Sequence, residues 1–138
     1  MTQVNFLKLE KQEKFPEICR LAASYYQREQ RVMILVEDES QAISLDRFLW
    51  AWDKSSFLPH AYDSGSVECF EEPVVIASEE SNTNNASVLI LGSPCSIEFA
   101  SRFEQVVDFA ELFDPELAEL SRERFRIYRQ HGLKPQMF

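Results

Sequence analysis

Side chains able to do covalent chemistry are sparse in this sequence and poorly spaced for it. The two histidines, His60 and His131, have no Ser, Cys or HxxxH partner in a helpful local context, and both read as structural or surface residues. The three cysteines, Cys19, Cys69 and Cys95, are widely spaced. They fit no zinc pattern and no disulfide framework, and are expected to be reduced and mostly buried, Cys95 as a small apolar residue after Ser93-Pro94. Glu37-Asp38-Glu39 follows an apolar run, where acids can bind Mg²⁺. A simpler role is open to them: Asp38 as a helix N-cap, with Glu39 in the favourable first turn. Gly65, Gly92 and Gly132 are the only glycines, all isolated. They form neither GxGxxG nor GxxxxGK, which argues against a standard nucleotide site. No catalytic residue, metal or cofactor is expected.

Binding chemistry is better represented. Residues 122–138 hold Arg122, Arg124, Arg126, Arg129 and Lys134 against the single acid Glu123, whereas residues 1–121 hold nine basic and 22 acidic side chains. On a helix at ~100° per residue, Leu117, Leu120, Ile127 and Tyr128 fall on one side, the side expected to be buried. Arg122, Phe125, Arg126 and Arg129 have i, i+3, i+4, i+7 spacing and fall together, well away from it. Arg124 points near the apolar edge. One reading is a solvated face, with Glu119 paired to Arg122 and Glu123 to Arg126. The other is a receptor for an acidic peptide ending in an apolar residue, in which guanidinium groups grip carboxylates and the ring supplies apolar contact. Nucleic acid is disfavoured, because the strip is short and the rest of the chain repels phosphate.

A second feature is Trp50 in Leu49-Trp50-Ala51-Trp52, with Phe57-Leu58-Pro59-His60 just after. Ala42, Leu45, Phe48, Leu49 and Trp52 share a helix face and should enter the core. Trp50 falls roughly 100–150° away from it. An outward tryptophan beside a Phe-Leu-Pro edge suits a protein contact. Equally, Trp50 can fold back on the 57–59 segment as secondary core.

These residues need elements to hold them. Strands are expected at Val4–Leu9, Arg31–Glu37, Phe57–Ala61, Pro73–Ser78, Ser87–Leu91 and Phe103–Phe109. Helices are expected at about Phe15–Gln30, Glu39–Trp52, Ser96–Arg102 and Asp114–His131. Pro16 starts the first helix and Gly132 stops the last. Ile18, Leu21, Ala22 and Tyr25 make one apolar face. Asp38 with Gln41 fits a capping box. The runs Met33-Ile34-Leu35-Val36 and Val88-Leu89-Ile90-Leu91 look like strands buried on both faces, and both are far too short to span a membrane. The alternation predicts a three-layer α/β architecture, Rossmann-like, with a mostly parallel sheet and no dinucleotide motif. With 138 residues, 45% hydrophobic, the chain is expected to be one domain, residues 1–138, able to fold without disulfides or metal. A start lacking a basic, apolar leader points to a cytoplasmic protein.

Several strings together resemble a known family. They are Arg31-Val32, Val36 to Ala42, Leu45-Asp46, Leu49-Trp50-Ala51, Ser56 to His60, Pro73 to Ala77, Val106 to Phe109, and Leu120 to Arg129. In this order they are similar to the chi subunit of bacterial DNA polymerase III. The resemblance implies a non-catalytic accessory subunit that pairs with a psi subunit and so joins the clamp loader. It also implies binding of the acidic C-terminal tail of single-stranded-DNA-binding protein, which ends in Pro-Phe and a free carboxylate. By position, Arg122 matches the family's tail-binding arginine. Phe125 stands where the family often has Tyr, and Arg126 where it often has Lys; Arg129 extends the strip. Trp50, Phe57 and neighbouring Pro59 match the aromatic partner surface, Phe57 being assigned to psi. A lysine of the family's tail site corresponds to Ala118. Two alternatives stand beside this: a partner subunit of a DNA-repair helicase through the Trp50/Phe57 surface, and a nucleotide-dependent α/β enzyme.

Overall fold

The computed structural model describes residues 2–52, 58–65, 69 and 71–138. Phe57, one of the expected partner-surface residues, lies outside them. Among these described residues, seven strands and four helices follow in the order β1 (Gln3–Leu9), α1 (Lys14–Gln27), β2 (Val32–Leu35), α2 (Glu39–Trp52), β3 (Ala61–Tyr62), β4 (Val74–Ala77), β5 (Val88–Leu91), α3 (Ile97–Ala100), β6 (Gln105–Glu111), α4 (Pro115–Gln130) and β7 (Gln136–Met137). The strands form one sheet in the order β3-β4-β2-β5-β6-β1-β7, with every pairing parallel.

The apolar runs of the central strands explain the layering. Successive side chains point to opposite faces. Val32 and Ile34 of β2 therefore enter one core with Ile18, Ala22, Ala42 and Leu45 of α1 and α2. Met33 and Leu35 enter the other with Phe99 of α3 and Tyr128 of α4. The three-layer α/β, Rossmann-like architecture is thus the one the alternation implies. Among the described residues no helix is long and apolar enough to cross a membrane.

Local signals acted largely as expected. Asp38 Oδ1 accepts from Gln41 N at 2.8 Å, and Gln41 Oε1 reaches back to Glu37 N at 3.1 Å, one residue earlier than in the usual box. Ser96 caps α3 by accepting from Phe99 N. Cys19 and Cys69 are buried, whereas Cys95 is only partly so. Burial pushes the thiols of Cys19 and Cys95 up to about 12.

Four expectations shift. The first helix ends three residues early, where Glu29 takes a positive φ of 60°. The third strand begins at Ala61, the last residue of the segment expected to hold it, and runs on to Tyr62. The strand expected over 103–109 runs from Gln105 to Glu111, because Phe103 instead packs edge-on against Phe99 under α3. A seventh strand, β7, was not expected: two exposed residues pair with Asn5 and Phe6 of β1 and cover the sheet edge.

Candidate functional site

The basic strip lies on α4, and α4 is fixed first by its ends. Asp114 Oδ1 accepts from Glu116 N at 2.9 Å, with Pro115 at the first helical position. At the other end Gly132 sits at φ +81°, its N–H bonded to Arg129 O and that of Leu133 to Tyr128 O. This is a Schellman cap, which reverses the chain and sends it back along β1 as β7.

The roll of α4 differs from the one hydrophobicity predicts. Ala118, Ser121 and Tyr128 are the buried residues, while Leu120, expected in the core, is 46% exposed. Leu117 and Ile127 are only half-buried. The buried face is rotated by about 80° at ~100° per residue. Two features outside an apolar count explain this. Ser121 is small and polar enough to meet the sheet backbone: its Oγ accepts from Glu111 N at 3.1 Å and lies 2.8 Å from Leu117 O. Arg124, the residue at the apolar edge, turns inward onto Asp108 of β6. Its Nε donates to Asp108 Oδ2 at 3.0 Å and its Nη2 to Asp108 Oδ1 at 3.2 Å and Phe109 O at 3.0 Å. Tyr128 OH completes the group at 3.4 Å. Burial opposes the Arg124 charge, but the Asp108 carboxylate, with Glu111 3.8 Å away, outweighs it and raises the guanidinium pKa. Desolvation and the same carboxylate raise Tyr128, which stays a neutral phenol.

The roll also corrects the placement of Phe125. It does not stand well away from the buried face: it packs against the core at its edge, its ring centroid 5.3 Å from that of Phe6. Arg122, Arg126 and Arg129 remain exposed. Arg122 pairs with Glu119 at 2.6 Å, both side chains about two-thirds exposed. Such a pair is worth about 0–1 kcal/mol and yields readily to a stronger anion. The expected Glu123–Arg126 pair does not form among the described residues. The Arg129 guanidinium lies 5.6 Å over the Phe125 ring.

Beside Arg122 and Phe125 a mostly apolar cavity of about 230 Å³ opens between α4 and the sheet edge. Ala110 and Ala118 leave the space, Leu112, Phe125 and Met137 wall it, and Arg122 and Lys8 bring the cations. Lys8, Leu112 and Met137 were missed by sequence reasoning. Lys8 is the exposed end of an alternation in which Val4 and Phe6 are buried, a signal that was present. Met137 had none, because only the Schellman turn brings it back.

The second surface is separate. Trp50 is 52% exposed, neither free-standing nor core: one face rests on the His60 ring, centroids 4.4 Å apart. His60 is buried, its Nδ1 2.8 Å from Leu58 O and its Nε2 3.1 Å from Asp46 Oδ1, misaligned for a hydrogen bond. Pro59 is partly exposed beside it. Among the described residues no three His, Cys, Asp or Glu side chains gather where they could hold a metal ion.

Comparison with known proteins identifies a family. A family model described as "DNA polymerase III chi subunit, HolC" matches residues 1–136. The chain is 36% identical over 116 residues to DNA polymerase III subunit chi of Escherichia coli (strain K12), covering 83% of this chain and 78% of that protein. It is 32% identical over 115 residues to the Haemophilus influenzae subunit, with the same coverage, and 27% identical over 135 residues to that of Pseudomonas aeruginosa, covering 96% and 92%. Matched along nearly its whole length, the chain belongs to the DNA polymerase III chi subunit family of replication accessory proteins.

Proposed function

We propose that this chain is a non-catalytic linker within the polymerase III assembly. One face receives the acidic C-terminal tail of single-stranded-DNA-binding protein, and the other holds the psi subunit. The observation that carries the tail reading is the apolar cavity with Arg122 at its mouth and Arg126 and Arg129 further along the same helix. A terminal phenylalanine ring fits an apolar cavity of this kind, its carboxylate meets a guanidinium, and upstream acids meet the remaining arginines. Phe125 contributes a wall rather than a hydrogen bond. Titration of a fluorescent acidic octapeptide ending in Pro-Phe is the test. Arg122→Ala is expected to weaken binding by about 2 kcal/mol, roughly thirtyfold. Equal affinity of wild type and variant rejects the site.

The half-exposed Trp50 on its His60 support favours the psi side, with Pro59 and Phe57 in the neighbouring segment. A rigid aromatic of this kind is a typical anchor. Trp50→Ala is expected to reduce retention of psi in a pull-down at least tenfold while leaving tail-peptide affinity unchanged. Loss of tail binding with psi retained would reverse the assignment of the two faces. Capture of a repair helicase in place of psi by the same surface would favour the helicase-partner reading.

A further inference from the structure

We infer that Lys8 of β1 is a specificity-determining residue of the α4 cavity: with Arg122 it holds the terminal α-carboxylate of the bound peptide, so that a free chain end is selected over an internal or blocked one. The inference rests on the tail-binding reading above and goes beyond it by naming a second cation, on a different element, and the group it reads.

The side chain faces the cavity for a reason built into the strand. Val4 and Phe6 are fully buried beneath the α3–α4 layer, and Lys8 is the next residue on that face. Its cross-strand partner is Ala110, whose small side chain leaves the space that the cavity occupies. The backbone of Lys8 is tied on the edge side, its N–H donating to Phe138 O at 3.2 Å. The backbone is therefore fixed while the Lys8 side chain stays exposed. Lys8 also borders a hollow carrying Glu10, Glu13 and Glu17. Even so, among the described residues it forms no ion pair with any of them.

The two cations come from different elements. Arg122 reaches the cavity from the helix and Lys8 from the sheet. The lining between them is apolar, so an aromatic side chain entering it leaves only its own carboxylate near both cations. Acidic side chains further up the peptide run toward Arg126 and Arg129 and away from β1. A carboxylate flanked by two cations is a stronger acceptor than a carboxamide, which carries no charge and offers one oxygen.

The test pairs two probes with three proteins. The probes are the acidic octapeptide ending in Pro-Phe with a free carboxylate, and the same peptide as its C-terminal carboxamide. The proteins are wild type, Lys8→Gln and Lys8→Arg, each checked by thermal unfolding. Wild type is expected to prefer the free carboxylate. Lys8→Gln is expected to weaken the free-acid peptide about tenfold and the amide less than twofold, while Lys8→Arg retains the preference. A Lys8→Gln variant that keeps the full preference, or that weakens both peptides equally, overturns the inference alone. Wild type that binds neither peptide overturns the tail-binding reading and the inference with it.

Discussion

At the scale of single residues, the charges on α4 divide by what they face. Arg122, Arg126 and Arg129 are exposed, whereas Arg124 is consumed inside the fold by Asp108. The same guanidinium chemistry is left open to solvent in one case and used for positioning in the other. The pair differs sharply from a surface ion pair, because the Asp108 side chain is only 4% exposed. Removing Arg124 strands a buried carboxylate. Arg124→Ala is therefore expected to cost about 3 kcal/mol of stability, measured by urea unfolding. It should also disturb the roll of α4, so tail affinity falls although Arg124 is not on the exposed face. A variant as stable as wild type would show that Asp108 is not stranded, its carboxylate being hydrated or protonated once the guanidinium is gone. The Asp108 signal was legible as an acid inside the apolar string Val106-Val107-Asp108-Phe109, and Arg124 as the arginine at the apolar edge. Their pairing was not, because 16 residues separate them in the chain.

At the scale of elements, most boundaries follow from local chemistry. Helix α2 spans the residues its periodicity implies, and α4 begins at Asp114-Pro115 and stops before Gly132. Capping depends on longer-range contacts at α3, where Glu80 accepts from Ser96 N at 2.9 Å and Ser96 Oγ at 2.7 Å. These hydrogen bonds hold the Glu80 carboxyl below the usual glutamate range. A depressed folded-state value means that the stabilisation is complete above the unfolded value, about 4.3, and is lost as pH falls through the folded one. The melting temperature should therefore drop more steeply on acidification in wild type than in Glu80→Gln. Parallel pH profiles for the two would show that the tether contributes nothing. The short strands β3 and β7 escaped periodicity because two residues carry no period. Both exist only through pairing with β4 and β1.

At the scale of the whole molecule, an acidic body carries a local basic strip. The 23 acidic side chains disfavour a bare phosphate backbone, while the strip on α4 attracts an anionic peptide at short range. Tail-peptide affinity is accordingly expected to fall several-fold between 50 and 300 mM NaCl, whereas psi retention through Trp50 should change little. Equal salt sensitivity of the two associations would contradict an aromatic anchor on one face and a charged groove on the other. The sequence by itself determined the layered α/β architecture, because alternation along a strand and 3.6-residue spacing along a helix are written in neighbouring residues. It also determined that the basic charge gathers near residue 122, since charge is a property of composition. The tertiary structure alone decided the roll of α4, the packing of Phe125 at the core edge, the support of Trp50 by His60, and the cavity that joins Lys8, Ala110, Arg122 and Met137. Those outcomes depend on the shape of the surface each element meets, and that surface is assembled from residues far apart in the chain.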